Sequence, residues 1–137
     1  NVPEETITLL KKDGFSIRHK TTFEEKYVGD VGMILLGDGE KIEKEKLERA
    51  VKLKTIGYLG SAKNKFSFQT CTDMGIVVFD DPKSNPRSAT FIPKRVIDFM
   101  NKGTTYMSSN FPNLQLPAID KSHRLIHLVA LMEVLLV

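Results

Sequence analysis

His123 and His127 stand four residues apart, with Asp120 on nearly the same helical face, the spacing that lets two imidazoles reach one metal ion. The glutamate that usually follows the first histidine in such a motif is absent, and a third ligand would have to arrive through folding, from His19 or Cys71. A second constellation is the run Val77–Lys83, VVFDDPK, in which Asp81 and Lys83 flank Pro82. Metal-dependent nucleases use an acid to hold the cation and a lysine to steady the attacking water. Here the middle proline and the loop context point instead to an ordinary turn, and a further acid such as Asp38 or Asp73 would have to converge. Cys71 is the only cysteine and has no base at a readable spacing, so it reads as a small buried hydrophobe. The glycines of Leu35–Glu40 lack both a Gly-Lys-Ser/Thr ending and a Gly-x-Gly-x-x-Gly frame. Every reactive set is missing a part. The expectation is therefore no catalytic residue, no metal and no cofactor, with a small metal-dependent hydrolase or nuclease as the alternative.

The segment Arg49–Cys71 carries Arg49, Lys52, Lys54, Lys63 and Lys65 and no carboxylate, whereas acids and bases are interleaved elsewhere. Cations beside Tyr58, Phe66 and Phe68 are what a single-stranded nucleic acid would meet, charge for its phosphates and rings for its bases. The competing structural reading makes the phenylalanines core residues and the lysines a helix end. The residues expected to contact nucleic acid are Lys52, Lys54, Lys63, Lys65 and Tyr58, joined by Lys83 and Arg87 from the loop Asp81–Ser88. This points to a non-enzymatic binding or assembly protein with a basic face, of the viral matrix or nucleoprotein type. Its expected partners are nucleic acid or ribonucleoprotein, an anionic membrane surface, and further copies of itself as a homo-oligomer. A protein–protein interaction module is the other alternative, with the proline-punctuated stretch Thr104–Pro117 as its contact segment.

The bulk properties bound these readings. The chain has 137 residues, 20 Lys and Arg against 17 Asp and Glu, and a net charge of +3, far from a strongly basic arm. That length is one ordinary domain over residues 1–137 with room for a core. The start at Asn-Val-Pro and the apolar pattern at the end suggest a piece cut from a longer chain at one or both ends. A single cysteine and the lack of a signal-like or bilayer-length apolar run lead to an expected intracellular location, in cytoplasm or nucleus, or in a virion.

The elements that must position these groups read as follows. Glu5–Leu10 and Phe15–Thr21 alternate apolar and polar residues around Asp13-Gly14 and predict a hairpin. Tyr27–Gly37 predicts a strand in which Gly29 and Gly32 suggest a bulge or a close backbone approach, and Glu40–Lys54 a helix with Asp38 as its cap. Lys65–Cys71 and Ala89–Ile92 predict short strands, and Gly75–Asp81 a strand buried on both faces. Pro93–Gly103 predicts a helix stopped by Lys102 and Gly103, and Asp120–Val137 a central core helix. The expected fold class is α+β: a largely antiparallel sheet of five to six strands with three helices, the C-terminal helix buried.

Overall fold

The computed structural model describes residues 2–19, 31–37, 39–83, 86–111 and 133–136. Its elements run α1 (Glu4–Lys12), β1 (Ser16–His19), β2 (Val31–Leu36), α2 (Lys44–Glu48), β3 (Thr55–Tyr58), α3 (Phe68–Asp73), β4 (Val77–Phe79), α4 (Ser88–Lys102) and β5 (Glu133–Leu136). The strands form one five-stranded sheet in the order β1-β5-β2-β3-β4. All four pairings are parallel. This is a doubly wound α/β sheet, and it replaces the expected antiparallel α+β layout. Parallel neighbours need a crossover between them, and α2 and α3 supply it on either side of β3.

The predicted hairpin is a helix followed by a strand. Glu4 and Glu5 occupy the first turn of α1 and Lys11 and Lys12 its last, the charge order that suits a helix dipole. Thr6, Ile7 and Leu10 make its buried stripe. Gly14, at φ +83°, stops the helix. Its N–H donates to Lys11 O at 3.0 Å, and the Phe15 N–H donates to Leu10 O at 3.2 Å, satisfying carbonyls that the helix end would leave open. Asp13-Gly14 is thus a helix stop.

Strand alternation sorts the core into two layers. Ile34, Leu36, Ile56, Tyr58 and Val78 face Leu47 of α2 and Cys71 of α3. Met33, Leu35, Val77 and Phe79 face Ile7 and Leu10 of α1 and Ile92, Val96 and Met100 of α4. The register between β2 and β5 slips between Val31 and Met33, which puts the predicted bulge at Gly32. The extra residue reverses the alternation, so Val31 shares a layer with Ile34 and Leu36. Gly57 lets α4 lie close on β3. A Cβ there would stand 2.3 Å from Leu35 Cδ2, 3.0 Å from Val96 Cγ2 and 3.1 Å from Ile92 Cγ2.

Several other expectations give way. The helix over Glu40–Lys54 shrinks to the five residues of α2, because the Lys54 N–H already donates to Gly32 O at 2.8 Å to open the β2–β3 pairing. Asp38, its expected cap, lies outside the described residues. Lys65–Cys71 is not a strand: Ser67 caps α3 by accepting from the Thr70 N–H at 3.1 Å. The apolar Ala89–Ile92 belongs to α4, which runs on through Pro93 to Gly103. Of the expected C-terminal helix, residues 120–132 and 137 lie outside the described residues, and Glu133–Leu136 is strand β5.

Pro93 inside α4 has no N–H for the carbonyl of Ala89. That carbonyl instead accepts the hydroxyl of Thr6, a fully buried α1 residue, at 2.6 Å. One proline-made vacancy is thereby turned into the hydrogen bond that locks α1 to α4. Thr6→Val removes the donor and leaves the carbonyl buried, so urea unfolding should show a loss of about 1–3 kcal/mol. In a Pro93→Ala background the restored amide satisfies Ala89, and the same change should cost clearly less. Equal costs in both backgrounds would refute this coupling.

Candidate functional site

In a parallel sheet all strands end on one edge, and ligand sites in open α/β sheets lie outside that carboxyl edge. Here β2, β3 and β4 end at Leu36, Tyr58 and Phe79. The segments that follow are stitched together. The Leu59 N–H donates to Leu36 O at 2.9 Å, the Ile42 N–H to Lys65 O at 3.0 Å, and the Asp81 N–H to Gly60 O at 2.8 Å. The Tyr58 hydroxyl accepts from the Gly39 N–H at 2.8 Å.

Asp80, the first residue past β4, ties three segments together. Its Oδ2 accepts from the Ala62 N–H at 2.9 Å, and its Oδ1 accepts the Ser109 hydroxyl. Asp81 is committed as well: Oδ1 takes the Lys83 N–H at 3.1 Å and Oδ2 the Ser88 hydroxyl at 2.8 Å. The segment Ser108–Asn110 closes the open side of β4. The Ser109 N–H donates to Val78 O at 2.8 Å. Asn110 accepts from the Val78 N–H through Oδ1 at 2.8 Å and donates through Nδ2 to Ile76 O at 2.8 Å. An asparagine thus stands in for a neighbouring strand and shields the sheet edge. Just ahead of this segment, Arg95 of α4 holds Tyr106, its guanidinium 5.2 Å from the Phe91 ring centre and 5.3 Å from that of Tyr106.

These contacts frame a cavity of about 800 Å³ lined by Ser61, Lys63, Asn64, Asp80 and Ser109, among others. A second of about 390 Å³, lined by Lys83, Arg87 and Phe91, shares Asp80, Pro82 and Met107 with it. Asn64 at φ +61° and Met107 at φ +65° both line the larger cavity in the left-handed conformation. Asparagine tolerates that conformation, and methionine is held there by its surroundings.

The predicted basic residues divide. Lys63, Lys83 and Arg87 reach the two cavities, and Lys65 lines a shallow groove with Lys41 and Glu43. Lys52 and Lys54 lie at the opposite edge, where the Lys54 carbonyl accepts from Val77 at the start of β4. The four residues of β3, about 13 Å of strand, separate the two groups. Tyr58 is fully buried on β3 and is no stacking platform, and Phe66 packs in the core. His123, His127 and Asp120 lie outside the described residues. Among the described residues no three His, Cys, Asp or Glu side chains are grouped to hold a metal ion, and no helix is long and apolar enough to cross a membrane. Asn64 is not singled out by the sequence reading, Asp80 enters it only as a counter-ion to the basic stretch, and Met107 and Ser108–Asn110 enter it only as part of the expected contact segment Thr104–Pro117. The available signal was an acid directly after a buried β-branched run, which marks a carboxyl edge once the strands are known to be parallel.

Three comparisons bear on this site. The family model for the D-isomer specific 2-hydroxyacid dehydrogenase, catalytic domain, matches residues 1–90 of the 137. Among solved structures, 3-phosphoglycerate dehydrogenase of Entamoeba histolytica, crystallised with NAD+, aligns with a TM-score of 0.51 at 15% identity. That alignment covers 100% of this chain and 50% of that one, so the chain spans about half the length of its solved relative. No curated protein matches. The family match overturns the expectation of a non-enzymatic, viral-type nucleic-acid-binding protein and places residues 1–90 in an enzyme domain.

Burial raises the Cys71 thiol from 9.0 to about 12, outweighing a backbone hydrogen bond that lowers it. At pH 8 a thiol reagent should modify the folded protein at least about 100-fold more slowly than the urea-unfolded chain. The thiol ionises near 9 only when unfolded, so its stabilising contribution is complete below that pH and fades as pH climbs toward 12. Fast labelling of the native protein would contradict this placement. For the cavity frame, Asp80→Ala should destabilise by about 1–3 kcal/mol and speed exchange of the Ala62 amide. An unchanged Ala62 amide would mean that Asp80 does not brace the loop.

Proposed function

The chain belongs to the D-isomer specific 2-hydroxyacid dehydrogenase family, and we propose that it forms the substrate-holding part of an oxidoreductase acting on small D-2-hydroxy acids. The observation that carries this reading is the cavity of about 800 Å³ at the carboxyl edge, which offers a lysine and a fixed aspartate to the same space. A 2-hydroxy acid presents an anionic carboxylate beside a hydroxyl donor. Lys63 supplies the cation for the first. Asp80, held in place by Ala62 and Ser109, supplies an acceptor for the second. Ser61, Asn64 and Ser109 add neutral polar groups to a lining that also holds Phe66, Phe68 and Met107, and such a mostly apolar wall with few polar groups suits a small ligand.

Oxidation of a 2-hydroxy acid needs a hydride acceptor, and the solved relative was crystallised with NAD+. The described residues do not fit a dinucleotide. Gly37-Asp38-Gly39 follows β2, but the position of the third glycine holds Ile42, which is 4% exposed in the core. No long helix opens there either, since α2 begins only at Lys44. The part assigned to these residues is therefore substrate capture and orientation.

Titrating the full chain with D-lactate and D-glycerate should shift amide resonances of residues 61–64, 80 and 108–109. The L-enantiomers should bind at least about tenfold more weakly. Lys63→Ala should weaken binding about tenfold or more with no change in melting temperature, Lys63 being exposed. Absence of any shift at millimolar D-acid, or equal response to both enantiomers, would sink the assignment.

A further inference from the structure

Met107 occupies a turn position that favours glycine. The Ser108 N–H donates to Thr105 O at 2.9 Å and closes a turn over Thr105–Ser108. Met107 is the third residue of that turn, at φ +65°, where a left-handed backbone ordinarily takes glycine or asparagine. Neighbouring contacts hold it there. On one side the Tyr106 ring centre lies 5.3 Å from the Arg95 guanidinium. On the other, Val78 O accepts both the Ser108 hydroxyl at 3.2 Å and the Ser109 N–H at 2.8 Å. The turn presents its methionine at the wall shared by two cavities. Met107 lines the space of about 800 Å³ that holds Lys63 and the space of about 390 Å³ that holds Lys83.

Among the described methionines this is also the accessible thioether. Met107 is 52% exposed, whereas Met33 and Met100 are 1% and 2% exposed in the core, and Met74 packs against the core. We propose that Met107 is a reversible oxidation site for hydroperoxides, and that its sulfoxide withdraws the lysines of both cavities from anionic ligands. The thioether sulfur attacks one oxygen of hydrogen peroxide: an S–O bond forms and the O–O bond breaks. The second oxygen leaves with the peroxide's protons as water, so the sulfur is oxidised by two electrons and the peroxide reduced. A thiol-dependent reductase reverses the step, converting two thiols to a disulfide and releasing the oxygen as water. The product is a polar acceptor in place of an apolar side chain. Each cavity wall that it joins holds an ammonium with three donors, Lys63 in one and Lys83 in the other. A lysine engaged by the sulfoxide oxygen is no longer offered to a carboxylate. Loss of D-acid binding on oxidation rests on the substrate reading above; the oxidation and the capture of the lysines do not.

Hydrogen peroxide on the full chain tests the site. Peptide mass analysis at partial reaction should find an added oxygen on Met107 at least about tenfold faster than on Met33 or Met100. In the ligand-free protein that oxidation should shift the Lys63 and Lys83 amide resonances, one from each cavity. Methionine sulfoxide reductases for both epimers should return them. D-lactate binding should weaken at least about fivefold on oxidation, whereas peroxide should leave a Met107→Leu variant at its own untreated affinity. Equal rates at Met107 and the core methionines, or unmoved Lys63 and Lys83 amides, would overturn the proposal whether or not D-lactate binds. Undiminished D-lactate binding after complete Met107 oxidation would overturn it as well. An untreated protein that binds no D-lactate counts against the substrate reading alone.

Discussion

Parallel pairing is the constraint on which the rest of this molecule depends. A sheet whose strands all point one way has no hairpins, so each pairing is joined by chain that crosses a face, and both faces become covered. The two apolar layers follow directly: α1 and α4 on one side, α2 and α3 on the other. The same constraint gathers the ends of β2, β3 and β4 on one edge. The functional edge is therefore a consequence of strand direction, and no single residue sets it.

Covering both faces forces close packing, and the chain meets that demand with small local devices. Gly57 removes a side chain where α4 crosses β3; an added Cβ would be pressed against Leu35 inside a closed core. Thr6 supplies the donor that Pro93 removed from α4, so the helix pair on that face is held by polar as well as apolar contact. Asn110 closes the outer edge of β4 with side-chain groups in place of a sixth strand. The Thr6 and Asn110 devices each leave a backbone group satisfied where the regular ladder could not reach it.

Local signals in the sequence carried as far as local physics reaches. The β-branched run around Val77–Phe79 announced a strand buried on both faces, Gly32 announced a bulge, and Lys102-Gly103 announced the end of a helix. Direction was not legible, because pairing sense is fixed by crossovers rather than by the residues that pair. The segment Glu5–Leu10 alternates like a strand while also spacing Thr6, Ile7 and Leu10 for a helix, and burial against α4 selected the helix. The basic stretch misled for a related reason. Neighbours in sequence need not be neighbours on a surface, and β3 carries Lys52 and Lys54 to one edge and Lys63 to the other. The residues that frame the cavity, Asp80 and Ser108–Asn110, come from separate parts of the chain and could be joined only by the fold.

The same separation decides what size of ligand the carboxyl edge suits. A polyanion gains affinity by spreading many phosphates over a continuous cationic face. Here the cations that reach the cavities are Lys63, Lys83 and Arg87, and Asp80 and Asp81 stand among them with both carboxylates fixed by backbone and hydroxyl donors. Immobile negative charge in the middle of a basic patch repels an extended phosphate chain. For a molecule of a few atoms it does the opposite, because one cation and one acceptor within the same walls can meet an anionic group and an adjacent hydroxyl together. Charge alternation at that scale is what the proposed small hydroxylated acid would need, and it is the fold, by bringing Lys63 and Asp80 to one cavity, that creates it.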